Sequence, residues 1–125
     1  MKISQVFLLF FLCHVASSNL DANLEAKNFS KIFNEHLKAK NYTIIDPEFV
    51  GILKNGTIVP RDFYVKNVVY KEGLDKNAKY SGRFDEQGFL QIREASRPGA
   101  IAFAKRNSNI RGGYTLYKIA LNAGN

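Results

Sequence analysis

The chain has 125 residues, with 18 lysines and arginines against 11 aspartates and glutamates, a net charge of +7, and a single cysteine at position 13. That length suits one domain with a real core and excludes two. One cysteine excludes a disulfide framework and a cysteine-built metal site, and the excess of cations directs attention to anionic partners.

The first 18 residues carry one lysine, an apolar run from Val6 to Leu12, and the small residues Ala16, Ser17 and Ser18. This is the pattern of a secretory signal peptide, too short to span a bilayer. Residues 1–18 are therefore expected to be removed, leaving 19–125 as a single secreted, extracellular α+β domain without Cys13. Three Asn-x-Ser/Thr sequons, at Asn28, Asn41 and Asn55, fit a glycoprotein and all lie in the first half of the chain.

From Leu24 to Lys40 the residues Phe29, Ile32, Phe33, His36 and Leu37 fall on one helical stripe. The spacing predicts an amphipathic helix, capped by Asp21 or Asn23 and stopped by Asn41. Beyond it the period changes to two. Phe49 to Leu53 and Thr57 to Val59 flank Lys54-Asn55-Gly56, a hairpin signal. Asp62 to Tyr70 reads as a longer strand with a bulge at Lys66-Asn67, where its inward set changes parity. Tyr80 to Phe84 and Phe89 to Ile92 flank the turn Asp85-Glu86-Gln87-Gly88, and Ala100 to Ala104 pairs with Tyr114 to Leu121 around a turn containing Gly112-Gly113. Pro47, Pro60 and Pro98 are expected between strands. The sum is an N-terminal amphipathic helix packed on a curled antiparallel sheet of six or seven strands.

That architecture resembles the cystatins and related one-helix rolls. Those inhibitors carry a Gln-x-Val-x-Gly hairpin where this chain has Phe49-Val50-Gly51-Ile52-Leu53, so no inhibitory residue carries over.

No catalytic constellation is recognisable. His36 is the one histidine beyond the signal, which removes two-histidine mechanisms and His-based metal motifs, and its place on the apolar stripe is that of a core-margin residue. Asp85-Glu86 is a turn pair, and neighbouring carboxylates on one strand end do not face each other across a substrate. Neither an enzymatic activity nor a cofactor nor a metal is expected.

The charge is concentrated. Between residues 93 and 118 stand Arg93, Arg97, Lys105, Arg106, Arg111 and Lys118, against the single acid Glu94. These six predict a patch for sulfated glycans or other anionic surfaces, on a monomer with no specific nucleic-acid partner. Two other classes fit the composition. Ten phenylalanines and six tyrosines could line a cavity for a small apolar ligand, and Asn107 to Arg111 could serve as the loop of a protease inhibitor. A small hydrolase is the remaining alternative.

Overall fold

A computed structural model describes residues 21–69 and 78–121. The expected signal peptide, with Cys13, and the end of the expected strand at Tyr70 lie outside these residues. The fold is α+β, an open six-stranded mixed sheet with two helices, α1 over residues 21–38 and a short α2 at Arg61–Asn67. The strands are β1 (Ile45–Ile52), β2 (Ile58–Pro60), β3 (Tyr80–Phe84), β4 (Leu90–Glu94), β5 (Arg97–Arg106) and β6 (Tyr114–Ala120), in the spatial order β2-β1-β6-β5-β4-β3.

The three expected hairpins are present, each closed by the chemistry its turn residues provide. Leu53 N–H donates to the Thr57 carbonyl across Gly56, which has φ of 85°. The Asp85 carboxylate accepts from the Gln87 and Phe89 N–H groups, both at 2.9 Å, while Asn107 N–H meets the Gly113 carbonyl at 2.8 Å. Gly112 and Gly113 both adopt positive φ, which a residue with a Cβ rarely does.

The all-antiparallel expectation is corrected. β1 pairs with β6 in parallel, Val50 opposite Lys118 and Gly51 opposite Ile119. The meander β3 to β6 begins at the edge far from the first hairpin and returns strand by strand until β6 meets β1. Hairpin signals fix directions only between consecutive strands, so the direction of this long-range pair was not contained in them.

The expected strand from Asp62 to Tyr70 is also corrected, because its first part is α2. Pro60 ends β2 in extended conformation, and Tyr64 and Val68, one helical turn apart, are both buried. The buried pair Tyr64 and Val68 follows the helical period, Phe63 is exposed, and with no strand here there is no bulge at Lys66-Asn67. Tyr64 packs on Phe49 with ring centroids 4.5 Å apart, and Arg61 holds α2 to the preceding segment through the carbonyls of Ile45 and Tyr42, at 3.0 and 2.8 Å. Burial of the Tyr64 and Phe49 rings overrides the strand preference of an aromatic and β-branched segment.

In α1, Asp21 and Asn23 are helical and are not the caps expected of them; the Asn23 carboxamide instead accepts from Gly82 N–H at 2.8 Å, covering the edge of β3. The left-handed stop is Lys40, with φ of 54°, and not Asn41, whose side chain caps the 3-10 turn Tyr42–Ile44 by accepting from Thr43 N–H. The prolines stand within strands: Pro47 where β1 shifts register against β6, Pro60 at the end of edge strand β2, and Pro98 near the irregularity between β4 and β5. At such positions a missing N–H removes no regular ladder bond.

Residues directly opposite one another on paired strands share a face, so the registers define two rows crossing all six strands. One is Val59, Gly51, Ile119, Ala102, Ile92 and Gly82, small or apolar throughout. α1 lies on this inner face. A Cβ added to Gly82 would stand 2.0 Å from the Ala22 carbonyl oxygen and 3.1 Å from the Ala26 Cβ, so helix and strand meet there without a side chain between them. Ala22, Ala26, Phe29 and Phe33 fill the interface with Leu90, Ala104, Tyr114 and Leu116 in one contiguous core. The adjacent row belongs to the opposite face: Pro60, Val50, Lys118, Phe103, Gln91 and Arg83.

Candidate anion-binding face

Because successive side chains on a strand alternate between faces, the six cations singled out by the sequence separate into two groups. Lys118 and Phe103 are opposite each other in the outer row. Lys105, two residues along β5 from Phe103, stays on that face, with its ammonium 5.4 Å from the centre of the Tyr117 ring. Arg93 lies two residues beyond Gln91 on β4, opposite Ser81, and is exposed. These three share the outer face.

The other three do not. Arg106 turns to the inner side at the sheet rim, with its guanidinium 5.7 Å from the ring of Tyr114 and 5.9 Å from that of Phe84. Arg111, at the β5–β6 turn, is ion-paired with Glu35 of α1. Arg97 holds the Glu94 carboxylate through Nε at 3.0 Å and Nη2 at 2.9 Å, and Ser96 Oγ donates to the same carboxylate at 2.6 Å. Glu94 is only 8% exposed, so the cluster at the β4–β5 turn holds this carboxylate largely out of solvent.

Sequence reasoning passed over Arg83, which the row puts on the outer face beside Gln91. The signal was available: once Asp85 to Gly88 is read as a tight hairpin, Arg83 must share a face with Gln91. Among the described residues, no carboxylate lies within ion-pair distance of Arg83, Arg93, Lys105 or Lys118. Arg93 makes one long contact, 3.5 Å, to the Pro98 carbonyl.

The aromatic residues of this face were likewise not singled out. Lys118 Nζ sits 5.6 Å from the Phe103 ring centre, and Phe89 packs against Tyr117 with centroids 5.3 Å apart. A register shift in β6 between the partners of Phe103 and Ala104 leaves Tyr117 unpaired and brings it alongside Lys105. Such a bulge re-aims a side chain relative to strict alternation. Farther along the sheet, Val50 and Ile58 add exposed apolar surface, Ile58 at 70%. An open cleft of about 320 Å³ lined by Tyr80, Ser81, Glu94 and Pro98 borders Arg93.

The groups considered for chemistry are committed elsewhere. His36 is half-buried, and its Nδ1–H donates to the Ile32 carbonyl at 2.9 Å. Asp85 is occupied by its turn, and Asp46 is buried between Glu48 N–H and Thr115 Oγ1. Burial raises the Tyr114 phenol above its ordinary pKa, with Arg106 pulling it down and Glu25 pushing it up. The described residues contain no cluster of three or more His, Cys, Asp or Glu side chains suited to a metal, and no helix long and apolar enough to cross a membrane.

The sequon asparagines are all exposed: Asn28 on α1, Asn41 after it, and Asn55 in the β1–β2 turn. None belongs to strands β3 to β6. Comparison with protein-family models, with curated proteins and with solved structures finds no match.

Proposed function

We propose that this protein is a secreted, glycosylated, non-enzymatic binding protein that holds polyanions on the outer face of its sheet. The observation that carries the reading is the set Arg83, Arg93, Lys105 and Lys118, one cation on each of four adjoining strands, none of them within ion-pair distance of a carboxylate among the described residues. A stable fold does not need four like charges gathered on one face, and exposed charges contribute little to stability. The apolar signal-like run over Val6 to Leu12 and the three exposed sequon asparagines support the extracellular setting.

The test is binding to a sulfated polymer such as heparin at several salt concentrations. Each neutralised anionic site releases counterions, with a slope of about 0.7 to 0.9 per contact for nucleic acids, and four contacts give a loss of roughly 50-fold or more between 50 and 200 mM salt. The combined variant Arg93→Gln, Lys105→Gln, Lys118→Gln should flatten most of that slope. The control, Arg97→Gln with Arg111→Gln, removes two charges already paired and should leave it unchanged. Salt-independent retention, or equal loss in both variants, would overturn the reading.

A further inference from the structure

Aromatic rings and cations share the proposed binding face, and the way they touch discriminates between kinds of polyanion. We infer that this face takes a sulfated glycan, with Lys118 over Phe103 and Lys105 over Tyr117 as two prepositioned sulfate contacts. The inference rests on the polyanion reading above and adds the ligand class and the residues that set the charges in position.

An exposed lysine spends its time over many rotamers, and fixing it on a ligand costs side-chain entropy. Here each ammonium already lies over a ring, at 5.6 Å for Lys118 and 5.4 Å for Lys105. The attraction of a cation for a ring face holds the charge near one place. Phe89 in turn packs on Tyr117 and limits the freedom of that ring. Phe89, Phe103 and Tyr117 are therefore positioning residues, and the lysines are the contacts.

The same geometry disfavours a single-stranded nucleic acid. Such ligands bind sheet surfaces by stacking bases on free aromatic faces. Phe103 and Tyr117 are half-buried and carry lysines over their rings, so stacking would first have to displace the cations that attract the backbone. A sulfated sugar chain has no flat base to seat and presents its charge on compact groups that suit a point-charge ammonium. Arg83 and Lys118 lie in one row three strand spacings apart, about 14 Å at 4.7 to 4.9 Å per step. That distance is for a chain bearing several anions, not for one small ion.

The experiment uses the full chain and three probes: a heparin oligosaccharide, a single-stranded DNA oligonucleotide of equal formal charge, and vesicles containing phosphatidylserine. Phe103→Leu and Tyr117→Leu keep every charge and most of the volume but remove the ring. Each should weaken heparin binding about two- to five-fold, the ratio that corresponds to an exposed cation–π contact, and Tyr117→Phe should retain wild-type affinity. In the unliganded wild-type protein, ring currents should shift the Hε protons of Lys105 and Lys118 upfield. This reading stays informative if a leucine variant fails to fold. Leucine variants that bind heparin as wild type, or unshifted Hε protons, would remove the positioning role while leaving the polyanion reading intact. DNA or vesicles binding more tightly than heparin would overturn the ligand class.

Discussion

The contact between α1 and β3 fixes which sheet face the helix covers, and Gly82→Ala tests it. The new Cβ would lie 2.0 Å from the Ala22 carbonyl oxygen, 2.6 Å from its carbon and 3.1 Å from the Ala26 Cβ. The first two are helix backbone, which no rotamer change can move aside. Restoring an ordinary contact requires α1 and β3 to separate by more than 1 Å, which loosens the packing of Ala22 and Ala26 and stretches the 2.8 Å bond from Gly82 N–H to Asn23. Overpacking costs about 1 to 3 kcal/mol, and a clash with rigid backbone belongs at the upper end. At about 4 to 8 °C per kcal/mol for a domain of this size, a 3 kcal/mol loss lowers Tm by roughly 12 to 24 °C. Thermal unfolding followed by circular dichroism measures it. Gly88→Ala is the comparison, because Gly88 has φ of +83° and nothing within 4 Å of its would-be Cβ, so only the backbone penalty of about 1 to 2 kcal/mol applies. A Gly82 variant no less stable than the Gly88 variant would refute the account of helix packing.

Two further outcomes follow from buried groups. The Tyr114 phenol has its folded-state pKa raised above 10.0, chiefly by desolvation. The unfolded chain therefore loses that proton first, and the contribution of Tyr114, complete below pH 10, is lost as pH rises through the folded-state value. Urea midpoints should fall on the alkaline side, and Tyr114→Phe should flatten that limb; a variant curve parallel to wild type would contradict the assignment. Glu94→Ala removes the carboxylate that accepts from Arg97 Nε and Ser96 Oγ and should destabilise by about 1 kcal/mol in urea titration, with the salt slope for heparin unchanged. A changed slope would mean that the Glu94 cluster belongs to the binding surface.

What was legible in the sequence was local. Phe29 and Phe33 announced the buried side of α1, and Asn55-Gly56, Asp85 to Gly88 and Gly112-Gly113 announced three hairpins whose partners are neighbours in the chain. The parallel union of β1 and β6 was not legible, because Val50 and Lys118 meet only after the whole meander has formed. α2 was missed for a different reason: Phe63, Tyr64 and Val65 prefer strands, and the burial of Tyr64 on Phe49 was invisible without the fold. At the candidate site, the density of charge between residues 93 and 118 was plain, but density along a chain is not density on a surface.

Alternation sorts those charges, and Lys105 and Arg106 show the principle most directly. They are consecutive on β5, yet Lys105 lies beside Tyr117 on the outer face and Arg106 beside Tyr114 and Phe84 on the inner side. The two cations at the turns are neutralised by ion pairs, Arg111 by Glu35 and Arg97 by Glu94. Among the described residues, no such ion pair reaches the outer four. Two copies meeting through this face would bring Arg83, Arg93, Lys105 and Lys118 against their own images, a like-charge arrangement that opposes the attraction of Val50 and Ile58 for each other. Ligand anions remove that opposition. Self-association through the face is therefore expected to be weak in the free protein and strengthened by a polyanion long enough to reach both copies. Light scattering with short and long heparin fragments distinguishes the cases. Dimerisation that is tight without polyanion and indifferent to salt would mean that the apolar residues dominate the face, and that its cations are spectators.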